Sequence, residues 1–361
     1  MRSVARRFDT SVFPENHPIR SMERVARSLC SFVASRELTR DAEIHFGFLE
    51  DFKVQAVARA DGSGYIGVSI GAVALFLDVF GRLLSDRTFL ADIGHASLEA
   101  ESTSQTYIPM NAENIDWQGP TPKCRIRQRA SVELAFLAFQ FLVSHEVTHI
   151  QQGHIGLVQS RNGRSSICEG VTDDQPLSMT MQALELLADF HGAARVLRRS
   201  VGFSQEKRFE SLPGKTDRKA LKAIYGSPIL STYFVMFSIA MAWRIFDEQY
   251  WDLDRLKYRS HPPIPVRQLA LTHSVRSLLQ FEPGFGVPQA VVERILVKAQ
   301  TDAEVGYLKI TGQEKTLRAY EALFEGQPTF AHLQNITAIV GALQNQLAPF
   351  TWGEPGRQIR Q

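Results

Sequence analysis

The chain has few cysteines and no excess of charge of either sign. Its three cysteines, Cys30, Cys124 and Cys168, are scattered among 361 residues. An odd and scattered set argues against a disulfide framework and against a cysteine zinc site, and it fits a reducing compartment. The 40 basic and 38 acidic residues leave a net charge of +2, which gives no sign of a nucleic-acid partner. We therefore expect a cytoplasmic protein that does not bind nucleic acid.

Long apolar runs are also scarce. The N-terminus is basic and lacks an apolar run of signal-peptide length. One stretch, residues 224–243, has no charged residue over 20 positions. Its helical part, 230–243, is short for a membrane span, and a helix that is apolar all round is buried either in a large core or in lipid. We predict a core helix, and membrane contact at 224–243 stays open as the alternative.

What remains is ordinary globular composition, with 44% hydrophobic and 22% charged residues. The patterns favour a predominantly α-helical α+β fold in a single domain, residues 1–350, with a frayed tail at 350–361. The catalytic core is expected at about 51–275. A long insertion, 91–127, interrupts it, and a helical extension, 285–348, follows it.

Apolar spacing predicts the elements of this domain. An amphipathic helix is expected at 21–38. A hairpin with strands at 51–59 and 65–70 precedes a buried helix at 71–84. The segments 156–176 and 200–222 look polar, the first of them a loop. Further helices are predicted at 131–153, 177–199, 230–243, from Arg267 onward, and at 288–308, 315–325 and 330–347.

The helix predicted at 131–153 contains the sequence HEVTH. Its histidines, His145 and His149, are four residues apart and so lie on one face, from which both can reach a single metal ion. The rest of this helix is apolar, and buried imidazoles need partners. A metal ion would satisfy both, and Glu146 beside the first histidine can take a proton from a metal-bound water. The alternative is a polar helix turn without a metal.

Catalytic zinc usually has a third protein ligand. His154 is five residues beyond His149, so it points to a different side of the helix and is expected to be structural. Glu185, on the helix predicted at 177–199, is the better ligand, although exposed acids on a surface helix are the alternative. Asp189, one turn later, can accept a hydrogen bond from a ligand imidazole and fix its tautomer.

Two residues of a later proline-rich turn are candidates for contacts with substrate. His261 precedes Pro262, and we predict that it is a mobile group near the zinc that either stabilises the oxyanion or acts transiently as a fourth ligand. Arg267 is either a charge at a helix start or a contact to substrate and to the outer shell of the metal site.

Three elements, HEVTHIQQGH, ELLADFHG and SHPPIPVR, resemble in order the HExxHxxxxH, ExxxD and HPxxxxR patterns of gluzincin metallopeptidases of the HtpX and CAAX-prenyl-protease type. The segment 55–76 is similar to the hairpin and helix of that family. Gln55 and Thr148 depart from it, since asparagine and a small residue are usual there. A weaker similarity links the chain to phage-exclusion peptidases of the Lit type. The matching positions are His145, Glu146, His149, His154, Glu185, Ala188, Asp189, His261, Pro262 and Arg267.

The resemblance implies a zincin-like fold with a small sheet on the active-site helix, one Zn²⁺ per chain, and an extended peptide substrate paired with a sheet edge. The sequence thus predicts a zinc endopeptidase acting on a protein or peptide. The alternatives are a vestigial zincin with a regulatory or binding role, and a membrane-associated quality-control protease. The predicted roles are metal ligand for His145, His149 and Glu185, catalytic group for Glu146 and His261, and outer-shell partner for Asp189 and Arg267.

Overall fold

The structure, a computed structural model, describes seven stretches of the chain. Helices dominate them, and one small sheet accompanies the helices, so the predicted α+β, predominantly helical class is confirmed. The predicted helix at 315–325, much of the insertion and most of the tail lie outside these stretches. The described residues are 6–39, 41–101, 121–163, 166–167, 175–246, 253–312 and 327–353.

Ten α-helices lie in the described residues, and they form one continuous hydrophobic core with the inner face of the sheet. They are α1 Pro18–Arg36, α2 Ile70–Leu84, α3 Arg125–Gln151, α4 His154–Asn162, α5 Gln175–Gln205, α6 Lys215–Tyr225, α7 Pro228–Phe246, α8 Ile264–Phe281, α9 Gln289–Thr311 and α10 Gln327–Leu347.

The sheet has the strand order β1-β3-β2-β4, with β1 parallel to β3 and the other neighbours antiparallel. Gly62, with φ of 70°, makes the tight turn between β2 and β3, a conformation that glycine adopts without strain. Phe46 and Phe48 pack against Phe139 of α3, with ring centroids 5.9 and 5.8 Å apart. The strands are β1 Ile44–Leu49, β2 Ala56–Asp61, β3 Ser63–Ser69 and β4 Ser166–Ile167.

Helix α3 runs through the centre of the fold. It packs against α2, α5, α6 and α7 and supports the inner face of the sheet. Its closest helical neighbour is α5, because Gly192 presents no side chain where the two helices meet. A Cβ at this position would lie 3.0 Å from the backbone nitrogen of His145. Helices α3 and α5 therefore meet beside the HEVTH turn.

By length and composition alone, α3 and α7 could each cross a membrane. In both helices 78% of the most apolar window is buried inside the protein, as in the core helix of a globular domain. In α7, Phe237 stacks on Tyr233 and contacts Phe80 of α2 and Phe89.

Several predicted boundaries are wrong. Helix α3 begins at Arg125 rather than at residue 131. The predicted start was too late because the charged first turn of the helix looked solvent-exposed, although it contains a buried arginine, Arg127. The hairpin strands are Ala56–Asp61 and Ser63–Ser69, so the turn is tighter than expected. Helices α4 and α6 form in segments that looked polar, and β1 and β4 were not predicted. In α6 the buried apolar residues lie mainly in its second half, too few for a clear helical period.

Candidate metal centre

Helix α3 places two imidazoles side by side at the bottom of a cleft. His145 and His149 are one turn apart, and their Nε2 atoms are 3.0 Å from each other. Both side chains are buried, His149 with 1% of its surface exposed. Since two deprotonated Nε2 atoms repel each other at this distance, the pair needs either a shared proton or a common cation.

Helix α5 brings a carboxylate to the same point. Glu185 places Oε2 at 3.2 Å from Nε2 of His145 and Oε1 at 3.3 Å from Nε2 of His149. Donor atoms of the three residues all lie within 4.8 Å of one another. This buried His-His-Glu group could hold a metal ion, as the sequence predicted for these three positions.

The donor set fits a metal ion in spacing and in chemistry. Ligands about 2.0–2.1 Å from a tetrahedral zinc ion lie about 3.3–3.4 Å from one another, close to the separations found here. Both oxygens of Glu185 are buried and accept no hydrogen bond from the described residues. A buried carboxylate in that state is costly unless a cation compensates it.

The charges around the group also favour a dication. Three buried carboxylates, those of Glu146, Glu185 and Asp189, accompany one guanidinium, that of Arg267. Counted over these four described side chains alone, and with neutral histidines, two negative charges are in excess. An ion such as Zn²⁺ would balance these two charges.

The pKa directions show this compensation. Burial alone would lower the pKa of His145, but the carboxylates of Glu185 and Asp189 outweigh it and raise that pKa to about 10. Burial likewise opposes the ionised form of Glu185, yet the imidazoles of His261, His149 and His145 hold its pKa well below the usual range. The carboxylates of Glu185 and Asp189 thus favour a positive charge at His145.

Asp189 and Arg267 form a support behind the first histidine. Asp189 places Oδ1 at 3.0 Å from Nδ1 of His145. Arg267 donates two hydrogen bonds to this carboxylate, from Nε at 2.8 Å and from Nη2 at 2.6 Å. Its guanidinium also lies 5.1 Å from the centroid of the Trp243 ring. Arg267 is therefore more than a charge at a helix start, and it reaches the ligand His145 through Asp189.

Glu146 and His261 both face the cleft. Glu146 retains 7% exposure beside the deeply buried ligands. His261 places Nε2 at 3.3 Å from Oε2 of Glu185, and its Nδ1 lies 2.9 Å from Oγ of Ser260. The two predicted catalytic groups thus meet the three predicted ligands in one place.

His154 is not part of the His-His-Glu group, but contrary to the spacing expectation it contacts one member of that group, His149. Its Nδ1 lies 3.0 Å from Nδ1 of His149, and its ring is fully buried. The side to which His154 points cannot be read from helical spacing, because α3 ends at Gln151 and Gly153 adopts φ of 75° before α4 begins. A glycine directly before a histidine was the signal that could have predicted this turn.

The cleft above the site has a volume of 1190 Å³. One wall is sheet, from β1, β2 and the residues before β2. The other is formed by α3 and α7, with Phe141, Trp243 and Phe246 as the large apolar side chains nearest the ligands. The exposed cations Lys53 and Arg59 lie at its rim. The volume and the apolar walls suit an organic substrate larger than a single amino acid.

No family model, curated protein or solved structure matches this chain. The side chains of the candidate metal centre are therefore the main indication of function. Three motifs that are far apart in the sequence supply its residues, and α3, α5 and the turn before α8 bring those residues together.

Proposed function

We propose that this protein is a zinc-dependent endopeptidase with a zincin-like active site. The observation that supports this best is the convergence of His145, His149 and Glu185 on one point, with Glu146 next to it on the cleft side. Two imidazoles, one carboxylate and a neighbouring glutamate form the usual set for zinc hydrolysis of a carbonyl compound.

The three ligands would hold the ion and leave a position open toward the cleft. When bound, zinc lowers the pKa of a coordinated water toward 7 and polarises the substrate carbonyl. Glu146 accepts the proton of the attacking water on a carboxylate oxygen and later donates it to the departing amine. His261, beside Glu185 at the cleft wall, donates from Nε2 to the oxygen that becomes negative.

Asp189 and Arg267 act through the first histidine. Asp189 would accept a hydrogen bond from Nδ1–H of His145, which leaves Nε2 free as a ligand. The two hydrogen bonds from Arg267 keep Asp189 ionised and fixed in orientation. The pKa of Asp189 is accordingly lowered, because Arg267 and His145 outweigh the effect of burial.

An open strand edge supports a polypeptide as the substrate. The backbone N–H of Ser69 donates to the carbonyl of Gln55 at 2.9 Å. Because bonding alternates along an antiparallel pair, the N–H and carbonyl of the next residue, Ala56, point away from β3. On that side, the described residues pair with β2 only at Ala58 and Arg59. Among the described residues, none pairs with the outward backbone of Ala56, which lines the cleft where an extended peptide could add a strand.

The function is tested with Glu146→Gln, which keeps the shape of the side chain but removes the base. Both proteins are assayed for metal content and for cleavage, by comparing the terminal peptides of a whole proteome treated with each. We expect equal metal content and a loss of cleavage of at least about 100-fold in the variant. Equal cleavage by both proteins would refute the endopeptidase. Equal binding of a partner with no cleavage by either would favour the vestigial, regulatory alternative.

The strand edge is tested separately with proline. Ala56→Pro removes an outward N–H that faces the cleft, whereas Ala60→Pro removes an outward N–H of the same strand that does not line it. We expect Ala56→Pro to raise KM for peptides at least about tenfold and Ala60→Pro to leave it near the wild-type value. Equal KM values for both variants would contradict strand pairing.

A further inference from the structure

We propose that His154 is a positioning residue that fixes the tautomer and ring orientation of the ligand His149. The inference rests on the metal centre of the proposed function and extends it to a residue with no assigned role. His154 is fully buried, and its Nδ1 lies 3.0 Å from Nδ1 of His149. His154 lies three residues after the end of α3. It contacts the Nδ1 side of the His149 ring, whereas Glu185 lies on the Nε2 side.

One arrangement of the ring protons allows the two Nδ1 atoms to form a hydrogen bond and also allows His149 to bind a metal ion. Nε2 of His149 faces His145 and Glu185, so it is the ligand atom and must be free of a proton. The Nδ1 of a neutral His149 then has the proton and donates it to Nδ1 of His154. It follows that His154 is the tautomer with its own proton on Nε2.

That tautomer is not explained by stability. Nε2 of His154 is buried and has no hydrogen-bond partner among the described residues. An unpaired N–H inside a protein is unfavourable, and an apolar side chain would fill the same space without it. The contact that His154 does make is with His149, and we take that contact as its role.

The C-terminal part of the chain holds His154 in place. Gly153 adopts φ of 75°, and a Cβ there would lie 2.5 Å from the carbonyl carbon of Phe350. Behind it, the N–H of Trp352 donates to the carbonyl of Gln151 at 2.9 Å. The segment after α10 therefore packs on the turn between α3 and α4 and sets the position from which His154 reaches back to His149.

The two ligand histidines consequently have different supports. Nδ1 of His145 lies 3.0 Å from Oδ1 of Asp189, a carboxylate held by Arg267, whereas Nδ1 of His149 lies 3.0 Å from an imidazole. A carboxylate acceptor increases the electron density of a ligand imidazole more than a neutral acceptor does. With one neutral acceptor, the outer shell adds one negative charge instead of two, so the bound ion keeps more of its Lewis acidity.

The test replaces His154 in two ways. His154→Leu removes the acceptor and keeps an apolar side chain, while His154→Asn retains an acceptor oxygen close to the position of Nδ1. Ile155→Val, a conservative change at the next buried position, is the control for packing. For each protein we would measure the Co²⁺ and Zn²⁺ dissociation constants by chelator competition and the visible absorption spectrum of the Co²⁺ form.

We expect His154→Leu to weaken metal binding about 10- to 100-fold and to shift the Co²⁺ bands. His154→Asn should stay within a few-fold of wild type and keep its spectrum, and Ile155→Val should match wild type. In the wild-type Zn²⁺ protein, ¹⁵N NMR of the histidine rings should place the proton of His149 on Nδ1 and that of His154 on Nε2. This measurement does not depend on how well any variant folds.

The possible failures are distinguishable. Unchanged affinity and spectrum in His154→Leu, or a proton on Nδ1 of His154, would overturn this inference and leave the endopeptidase intact. Metal binding that depends on His154 in a protein that cleaves no peptide would overturn the endopeptidase alone. A wild-type protein that binds no metal would overturn both.

Discussion

The two ends of α3 both bury charged groups, and they treat them in opposite ways. Near its N-terminus, Arg127 is fully buried and donates five hydrogen bonds to backbone carbonyls, at 2.7 to 3.0 Å. Near its C-terminus, Glu185 meets His145 and His149, and its oxygens accept no hydrogen bond from the described residues. The acceptors of Arg127 are the carbonyls of Leu84, Asp86, Phe89, Leu90 and Ile93.

This difference separates a charge that the protein itself satisfies from a group that could hold a metal ion. Arg127 has its donors satisfied by the protein itself, and Glu99 lies 3.9 Å away as a counter-charge. Its site is closed, so it has no use for a ligand. The histidine end opens on a cleft and is incompletely satisfied by the described residues, so a bound cation would complete it. Substitutions at the Arg127 site should therefore lower the stability of the fold, and substitutions in the His-His-Glu group should weaken metal binding.

The largest effect is expected from Arg127→Met. The five carbonyls lose their donors, and we expect the free energy of unfolding to fall by about 4 kcal/mol or more. Arg125→Met, in the same helical turn but exposed, should change it by less than about 0.5 kcal/mol. Denaturant unfolding of both variants measures this. Equal stability of the two would show that the Arg127 site is not what holds this end of α3.

The second effect concerns Glu185→Gln. The loss of a charged ligand should weaken Zn²⁺ binding about 100- to 1000-fold, which corresponds to roughly 3–4 kcal/mol. Glu304→Gln is the matched control, because Glu304 is also buried but lies 3.3 Å from Arg244 rather than beside histidines. Chelator competition should find its zinc affinity unchanged. Normal zinc binding by Glu185→Gln would remove Glu185 from the ligand set.

Much of the site could be predicted from the sequence, because its key spacings are local. Two histidines four apart on one helix, and Glu185 and Asp189 four apart on another, define faces without any knowledge of the fold. The pairing of Asp189 with Arg267 joins residues 78 positions apart, and no local pattern specifies it.

The missed elements have similar physical causes. The first five residues of α3 contain three arginines, which suggested a solvated charged segment, although Arg127 lies inside the protein. Strand β1 is short, and its pairing with β3 is parallel and non-local, so no hairpin signal announces it. The contact of His154 with His149 depends on a break at Gly153, where helical spacing no longer applies.

A smaller effect is expected from Asp189→Asn. An amide can donate as well as accept, so it no longer fixes the Nδ1 proton of His145, and Arg267 loses its charged partner. We expect zinc affinity to fall about 10- to 100-fold while the secondary structure, followed by circular dichroism, is retained. If the variant instead loses its secondary structure, Asp189 belongs with Arg127 on the structural side of the comparison.

The smallest effect is expected from Gly192→Ala. The added Cβ would lie 3.0 Å from the backbone nitrogen of His145, so α5 must shift by a few tenths of an ångström and move Glu185 relative to the histidines. We expect zinc affinity to fall about three- to tenfold. Gly202→Ala, on the same helix with nothing within 4 Å of the new Cβ, should leave affinity unchanged and raise stability by about 0.5–1 kcal/mol. Equal zinc affinities of the two variants would mean that the approach of α5 does not set the ligand spacing.

The central claim is that the His-His-Glu end of α3 binds a catalytic zinc ion. The most direct measurement combines the metal content of the purified protein with zinc X-ray absorption. We predict one zinc per chain, bound by nitrogen and oxygen donors that include two imidazoles, and loss of that signal in His149→Ala. Less than stoichiometric zinc after reconstitution, sulfur among the donors, or an unchanged spectrum in His149→Ala would contradict the account.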